Sequence, residues 1–349
     1  MGNGGGTDGK SRCAMRRMLA VLAVILTAAA AASDLRAATV IKIGSVAPAR
    51  SPWGKALEDV AREWERISNG AVQVKIYPGG IAGSELDMIR KMRLGVLQGG
   101  VFSNMGLAKV ERSALALNMP FLFDSLDEFD AVFERVKPAL EKAVESKGFK
   151  VVLWTQAGWV NFFAKGQVVY PDDLKKHKVS VTSDEPELEQ LWKKMGFQVV
   201  PGDMKDLMVQ LQSGMVTSTY LPALLAASGQ YFAVTPHMLD LPLSPLVGGL
   251  LLSDKAWGSI PAEFREPMME AVAKVARELT RETADLEAAA VKMMEDNGLI
   301  VHKPPPDALA KWREAAARSI DDLVGKAFPR DIFDEITAFI GEFRKSRGK

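Results

Sequence analysis

The side chains best suited to acid–base or metal chemistry are few in this chain and poorly spaced for it. Its three histidines, His177, His237 and His302, lie far apart in sequence, and none falls in a metal-ligand spacing such as H-x-x-x-H. Surface or capping roles are read for them. Carboxylates gather at Asp172-Asp173 and at Glu185, Glu187 and Glu189. Both groups sit in polar loop or helix-start contexts, where helix-dipole and solubility roles account for them. No G-x-S-x-G elbow occurs. Cys13 is the single cysteine and precedes an apolar leader, so the mature protein is expected to have no disulfide, no thiolate nucleophile and no cysteine metal ligand. The stretch GGGTDGKS, Gly4 to Ser11, satisfies the phosphate-loop spacing literally. Such a loop works by converging backbone N–H groups between a strand and a helix, and here no strand precedes. The expectation is a binding protein with no metal and no cofactor, and not an enzyme.

What remains conspicuous is WTQAGWVNFFAK, Trp154 to Lys165. Two tryptophans, two phenylalanines and an asparagine follow a strand-like run. Such a cluster is either core beside a strand or the wall of a pocket.

The elements that must hold it alternate. TVIKIGSVAP is a short strand and loop; WGKALEDVAREWERISNG has a helical apolar period closed by Asn69-Gly70; VQVKIYPGG is a strand; SELDMIRKMRLGVL is a helix capped by Ser84. Strand and helix in alternation predict an α/β fold with a parallel sheet. PAEFREPMMEAVAKVARELTRETADLEAAAVKMMEDNG reads as one helix of roughly ten turns, long enough to span two domains.

A chain of 349 residues with 48% hydrophobic residues can bury two cores, and its net charge of +1 gives no argument for nucleic acid. Arg16-Arg17 followed by MLAVLAVILTAAAAAS has the charged head, apolar middle and small-residue exit of a secretory signal. Cleavage is expected before Ser33 or after Ala37 or Ala38, leaving an exported, periplasmic protein. The apolar run is too short and alanine-rich for a spanning helix.

Four segments in order carry a resemblance: PGGIAGSELDMIRKMRLGVLQGG, NMPFLFDSLDEFDAVF, VVYPDDLKKHKVSV and LMVQLQSGMVTSTYLP. Together they resemble the DctP-like solute receptors of tripartite ATP-independent periplasmic (TRAP) transporters over nearly the whole mature chain. The resemblance implies a two-domain periplasmic-binding-protein fold with hinge strands and a long domain-bridging helix. After a signal segment at 1–38, residues 39–157 with about 247–287 would form one domain and 158–246 with about 288–349 the other. It also implies one small molecule held in the interdomain cleft, hinge closure, delivery to TRAP membrane subunits, and no catalysis.

Departures from that pattern carry the ligand expectation. Where the family's G-F-R-x-x-T arginine would pair with a substrate carboxylate, this chain has Val160. Ser180 stands for the arginine of K-I-R-V, and Leu221 for the asparagine of E-N-P. An anion there would lose charged hydrogen bonds of roughly 1.5 to 3 kcal/mol each. The expected ligand is therefore uncharged and substantially apolar, walled by Trp159, Phe163, Tyr220, Leu221 and Trp154. Asn161, Ser180, Thr182, Ser103 and Asn104 would orient its polar atoms. Strand alternation puts Trp159, Asn161 and Phe163 on one face, taken as the cleft face. Two alternatives stay open. An organic acid could be held by a relocated cation, with Arg50, Lys55, Arg90, Lys165 and Lys178 as candidates, or an exposed aromatic patch could dock a helical-repeat lipoprotein.

Overall fold

The computed structural model describes residues 38–182 and 186–348. The expected leader, Cys13, Gly4–Ser11 and Glu185 lie outside the described residues, as do the expectations placed on them.

The chain begins as predicted, with β1 (Thr39–Ser45), α1 (Pro52–Ile67), β2 (Val72–Tyr77), α2 (Glu85–Arg93) and β3 (Gly99–Ser103). Ser84 caps α2 in a capping box: its hydroxyl accepts from Asp87 N while the Asp87 carboxylate accepts from Ser84 N. Then come α3 (Asn104–Val110), α4 (Leu126–Glu145) and the 16-residue strand β4 (Phe149–Ala164). A second run holds α5 (Pro171–Leu174), β5 (Lys178–Thr182), α6 (Pro186–Lys194), β6 (Gln198–Gly202), α7 (Leu207–Ser213), β7 (Ser218–Pro222), α8 (Ala223–Ser228) and β8 (His237–Leu239). The return is made by β9 (Pro245–Ser253), α9 (Asp254–Ser259), α10 (Ala262–Asp296), β10 (Ile300–His302), α11 (Pro306–Asp321) and α12 (Arg330–Ser346).

The sheet order is β2-β1-β3-β9-β4-β7-β5-β6, with β8 pairing β4 and β10. Each outer set is parallel, β1 with β2 and β3, and β5 with β6 and β7. The centre departs from the parallel sheet expected of the alternating elements, because β9 runs antiparallel to both β3 and β4, and β4 antiparallel to β7. The physical reason is connectivity: β4 carries the chain out of the first set and β9 brings it back, so the two long strands that join the halves run in opposite directions.

The long helix α10 spans 35 residues, about 50 Å at 1.5 Å per residue. Its Met268, Val272, Val275 and Leu279 pack in one core with Ile41, Ile43, Val60 and Trp64. Further along, Ala290 and Met294 join a different core with Phe163, Ala223 and Met238. One amphipathic stripe thus serves both halves. The terminal helix α12, expected with the second half, packs on α4, where Arg344 pairs with Glu128 and Arg135 with Glu342.

Candidate functional site

A cleft of about 370 Å³ opens at the carboxyl ends of the parallel strands of both halves, where open α/β sheets place their ligands. Its volume is roughly a dozen times the share of one water molecule. Val46 follows β1, and Ser103, Asn104 and Met105 lie where β3 enters α3; Trp53 stands at the start of α1. Facing them are Thr182 at the end of β5, Trp192 of α6, and Tyr220 and Leu221 of β7. The joining strands contribute Thr155, Ala157, Val160 and Val247.

The wall is largely apolar. No Lys, Arg or His lines it among the described residues, and Glu85 is the only Asp or Glu there. The Glu85 carboxylate accepts from Ser103 N at 2.6 Å and from Ser103 Oγ at 3.0 Å, fixing the turn from β3 into α3. The five relocated-cation candidates, Arg50, Lys55, Arg90, Lys165 and Lys178, are all exposed and none lines the cleft.

Six of the ten expected site residues come together on this surface: Ser103, Asn104, Ser180, Thr182, Tyr220 and Leu221. Four do not. Phe163 is fully buried among Ala223, Met238 and Met294. Buried Asn161 donates through Nδ2 to Leu239 O at 3.3 Å. Trp159 packs against the largest core. Trp154 lies across the sheet, in a second cavity of about 590 Å³ bounded by α4 and α10, where its Nε1 donates to Glu141 at 3.0 Å.

The cause is a bulge. Between Gln156 and Trp159 strand β4 advances three positions while β9 advances two, from Val247 to Pro245. Thr155 and Ala157 face the cleft, and unbroken alternation would have continued to Trp159, Asn161 and Phe163. One inserted residue exchanges the faces, so Val160 lines the cleft instead. The aromatic cluster is thereby mostly core, and it forms no exposed patch: Phe162 and Phe163 are buried, Trp154 and Trp159 half-buried.

Residues missing from the sequence expectation include Trp53, Asn118, Thr155 and Trp192. Asn118 opens the segment NMPFLF already singled out, and its Nδ2 donates to Pro245 O at 2.8 Å, tying the first half to the joining strand. Trp192 had a helix-core signal only. It is 1% exposed yet borders the cleft, edge-on to Phe162 and beside Tyr220.

Two histidines far apart in sequence become neighbours. β8 and β10 pair in parallel, and His237 Nδ1 lies 2.8 Å from His302 Nε2. One ring donates and the other accepts, so the accepting ring is neutral. Burial and the neighbouring ring push the His302 pKa down, and burial pushes down that of His177. None of the three borders the cleft, and among the described residues no three His, Cys, Asp or Glu side chains are arranged to hold a metal ion.

Behind the bulge, Glu287 of α10 accepts from Ala223 N at 3.1 Å and from Leu224 N at 3.0 Å. Burial pushes its pKa up from 4.5 to about 7 against the pull of these two donors. The sign follows from linkage. The folded chain holds this proton more tightly than the unfolded one, so the associated stability is fully present below about pH 4.5 and is lost as pH rises through about 7. A loss of roughly 2 kcal/mol is expected after allowing for partial solvent screening. Urea unfolding at a series of pH values should show this fall in wild type and lack it in Glu287→Gln.

The model of the bacterial extracellular solute-binding proteins, family 7 (DctP), matches residues 43–326. A solute-binding protein of Sulfitobacter sp. strain NAS-14.1 is 26% identical over 255 residues, covering 72% of this chain and 76% of that protein. The C4-dicarboxylate-binding periplasmic protein DctP of Rhodobacter capsulatus is 24% identical over 320 residues, covering 88% and 94%. A crystal structure of a TRAP periplasmic solute binding protein from Ralstonia eutropha H16 with bound (S)-2-acetolactate has a TM-score of 0.81 at 21% identity, covering 87% of this chain and 99% of that one. The last likeness concerns the fold alone.

Proposed function

The chain belongs to the bacterial extracellular solute-binding proteins, family 7, and from that premise we propose that it captures an uncharged, substantially apolar organic molecule in the cleft between its halves. It is a receptor for a small organic solute and not an enzyme. In our reading it is exported by its cleaved leader to the periplasm and hands the solute to the membrane subunits of a TRAP transporter. No helix among the described residues is long and apolar enough to cross a membrane.

The observation that carries the ligand class is the cleft wall without a cation. Val160, Ser180 and Leu221 stand where the family pattern has two arginines and an asparagine, and all three border the same cleft. A carboxylate brought there would lose its hydration without gaining a charged partner. A neutral ligand burying ~200 Å² against this wall would gain about 5 kcal/mol before ordering costs. An acidic ligand is the second reading, favoured by the names of the Rhodobacter and Ralstonia relatives. The lipoprotein-docking reading has no support, since the aromatic side chains it needs are buried or half-buried.

The test is native mass spectrometry of the protein purified from the cells that make it, with identification of the molecule released on unfolding. The expected molecule is neutral, and Val160→Arg is expected to weaken its binding at least tenfold through an unpaired charge in the apolar wall. Release of a carboxylic acid that binds wild type through a relocated Lys or Arg would overturn the ligand class, with family membership unaffected.

A further inference from the structure

Three features meet at one carboxylate behind the cleft. The first is the start of α8. Its Ala223 and Leu224 N–H groups have no intrahelical acceptor, as at any helix N-terminus, and the N-cap residue is Pro222, which supplies no side-chain cap. Glu287, 64 and 63 residues away in sequence, takes both donors, one on each oxygen. The second is the bulge in β4. Gly158 has φ +88°, and a Cβ built on it would lie 2.7 Å from the Glu287 carboxyl carbon. A glycine is required there both by the left-handed backbone and by the carboxylate it faces. The third is α10 itself, whose two ends belong to different cores.

The strand before α8 and the helix itself form cleft wall: Tyr220, Leu221, Pro222 and Leu225 all border the ligand space, as do Ala157 and Val160 on either side of the bulge. We propose that Glu287 is a positioning residue for the cleft, its carboxylate pinning the cleft-wall helix α8 and the β4 bulge to the bridging helix α10 so that the halves keep a defined separation. This rests on the cleft being the solute site. Glu287 touches no part of the ligand space; it acts through the backbone it holds.

The pin has a protonation dependence, because two N–H donors need two accepting oxygens. A protonated carboxyl offers one accepting oxygen and a hydroxyl, so one amide loses its partner. Among the described residues no other charged side chain acts on this group. α8 reads ALLAAS and β4 from Leu153 to Ala164 carries no ionisable residue; one turn away on α10 are Thr283, Ala284, Ala290 and Val291. Burial places the titration at about 7, within reach of ordinary buffers.

The experiment is a distance measurement across the cleft in the mature chain without ligand. With the leader removed the chain carries no cysteine, so spin labels are placed at exposed Lys55 and Lys205 through Lys55→Cys and Lys205→Cys. Pulsed electron resonance then reports the separation at pH 8.5 and at pH 5.5. Wild type is expected to give a narrow distribution at the higher pH and a broader one at the lower, and Glu287→Gln the broader one at both. In parallel, the Ala223 and Leu224 amides should exchange at least tenfold faster in Glu287→Gln at pH 8.5, after correction for intrinsic rates. Glu287→Asp, which keeps the charge with a shorter reach, should restore the pH dependence in part. A wild-type distribution that does not change with pH, or a Gln variant indistinguishable from wild type, overturns the proposal. Because no ligand is added, an acidic ligand found by mass spectrometry would overturn the ligand class and leave this result standing.

Discussion

Replacing Trp312 by alanine is expected to lower the unfolding free energy by about 3–5 kcal/mol, the range for deleting a large buried aromatic. The side chain is fully buried in α11. It stacks on Phe162 at 5.6 Å between centroids and meets Phe121 and Phe197 at 5.8 Å each, and its Nε1 donates to Val169 O at 2.9 Å. Alanine would leave a cavity and an unpaired carbonyl together. The consequence reaches the site, because Phe162 packs on its other sides against Trp192 and Tyr220, which border the cleft. Trp312→Phe should recover much of the packing but not the hydrogen bond. Guanidinium unfolding of the three proteins checks this, with an unchanged m-value expected if the loss lies in the native state.

The second large effect is at Arg344. Glu128 is 2% exposed at the start of α4, and its two oxygens accept from Arg344 Nε at 2.7 Å and Nη2 at 3.0 Å. Arg344 also donates to Leu122 O and lies 3.3 Å from Asp124. The hydrogen bond to Glu128 holds the guanidinium pKa above its usual value. Arg344→Ala leaves a buried carboxylate whose remaining partner is the Asp124 amide, and about 3 kcal/mol of stability should go with it, since removing one member of a buried pair strands the other charge. Glu128→Gln strands no anion and should cost less. A double-mutant cycle of the two positions, read by urea unfolding, should return a favourable coupling above ~1 kcal/mol. A coupling near zero would mean that α12 is held to α4 by apolar packing alone.

Much of the fold was legible because it rests on local patterns. The α1 stripe, the Ser84 cap and the long period of α10 are set by neighbours three or four residues away, and each formed where those neighbours put it. The cleft was legible in part for the same reason. Ser103, Thr182 and Leu221 lie at or near strand ends, and strand ends in an α/β sheet point to the ligand side whatever the details of the sheet.

The sequence by itself determined that Ser180, Tyr220 and Leu221 share one surface, and all three border the cleft. Only the tertiary structure decided which face of β4 meets the cleft, because side-chain direction in a strand has a period of two and the single extra residue between Gln156 and Trp159 reverses it. The same long-range pairing brought His237 to His302 and set Glu287 under Ala223. Those contacts join residues more than sixty positions apart, through a register that is fixed by the strand across the sheet and not by the neighbours along the chain.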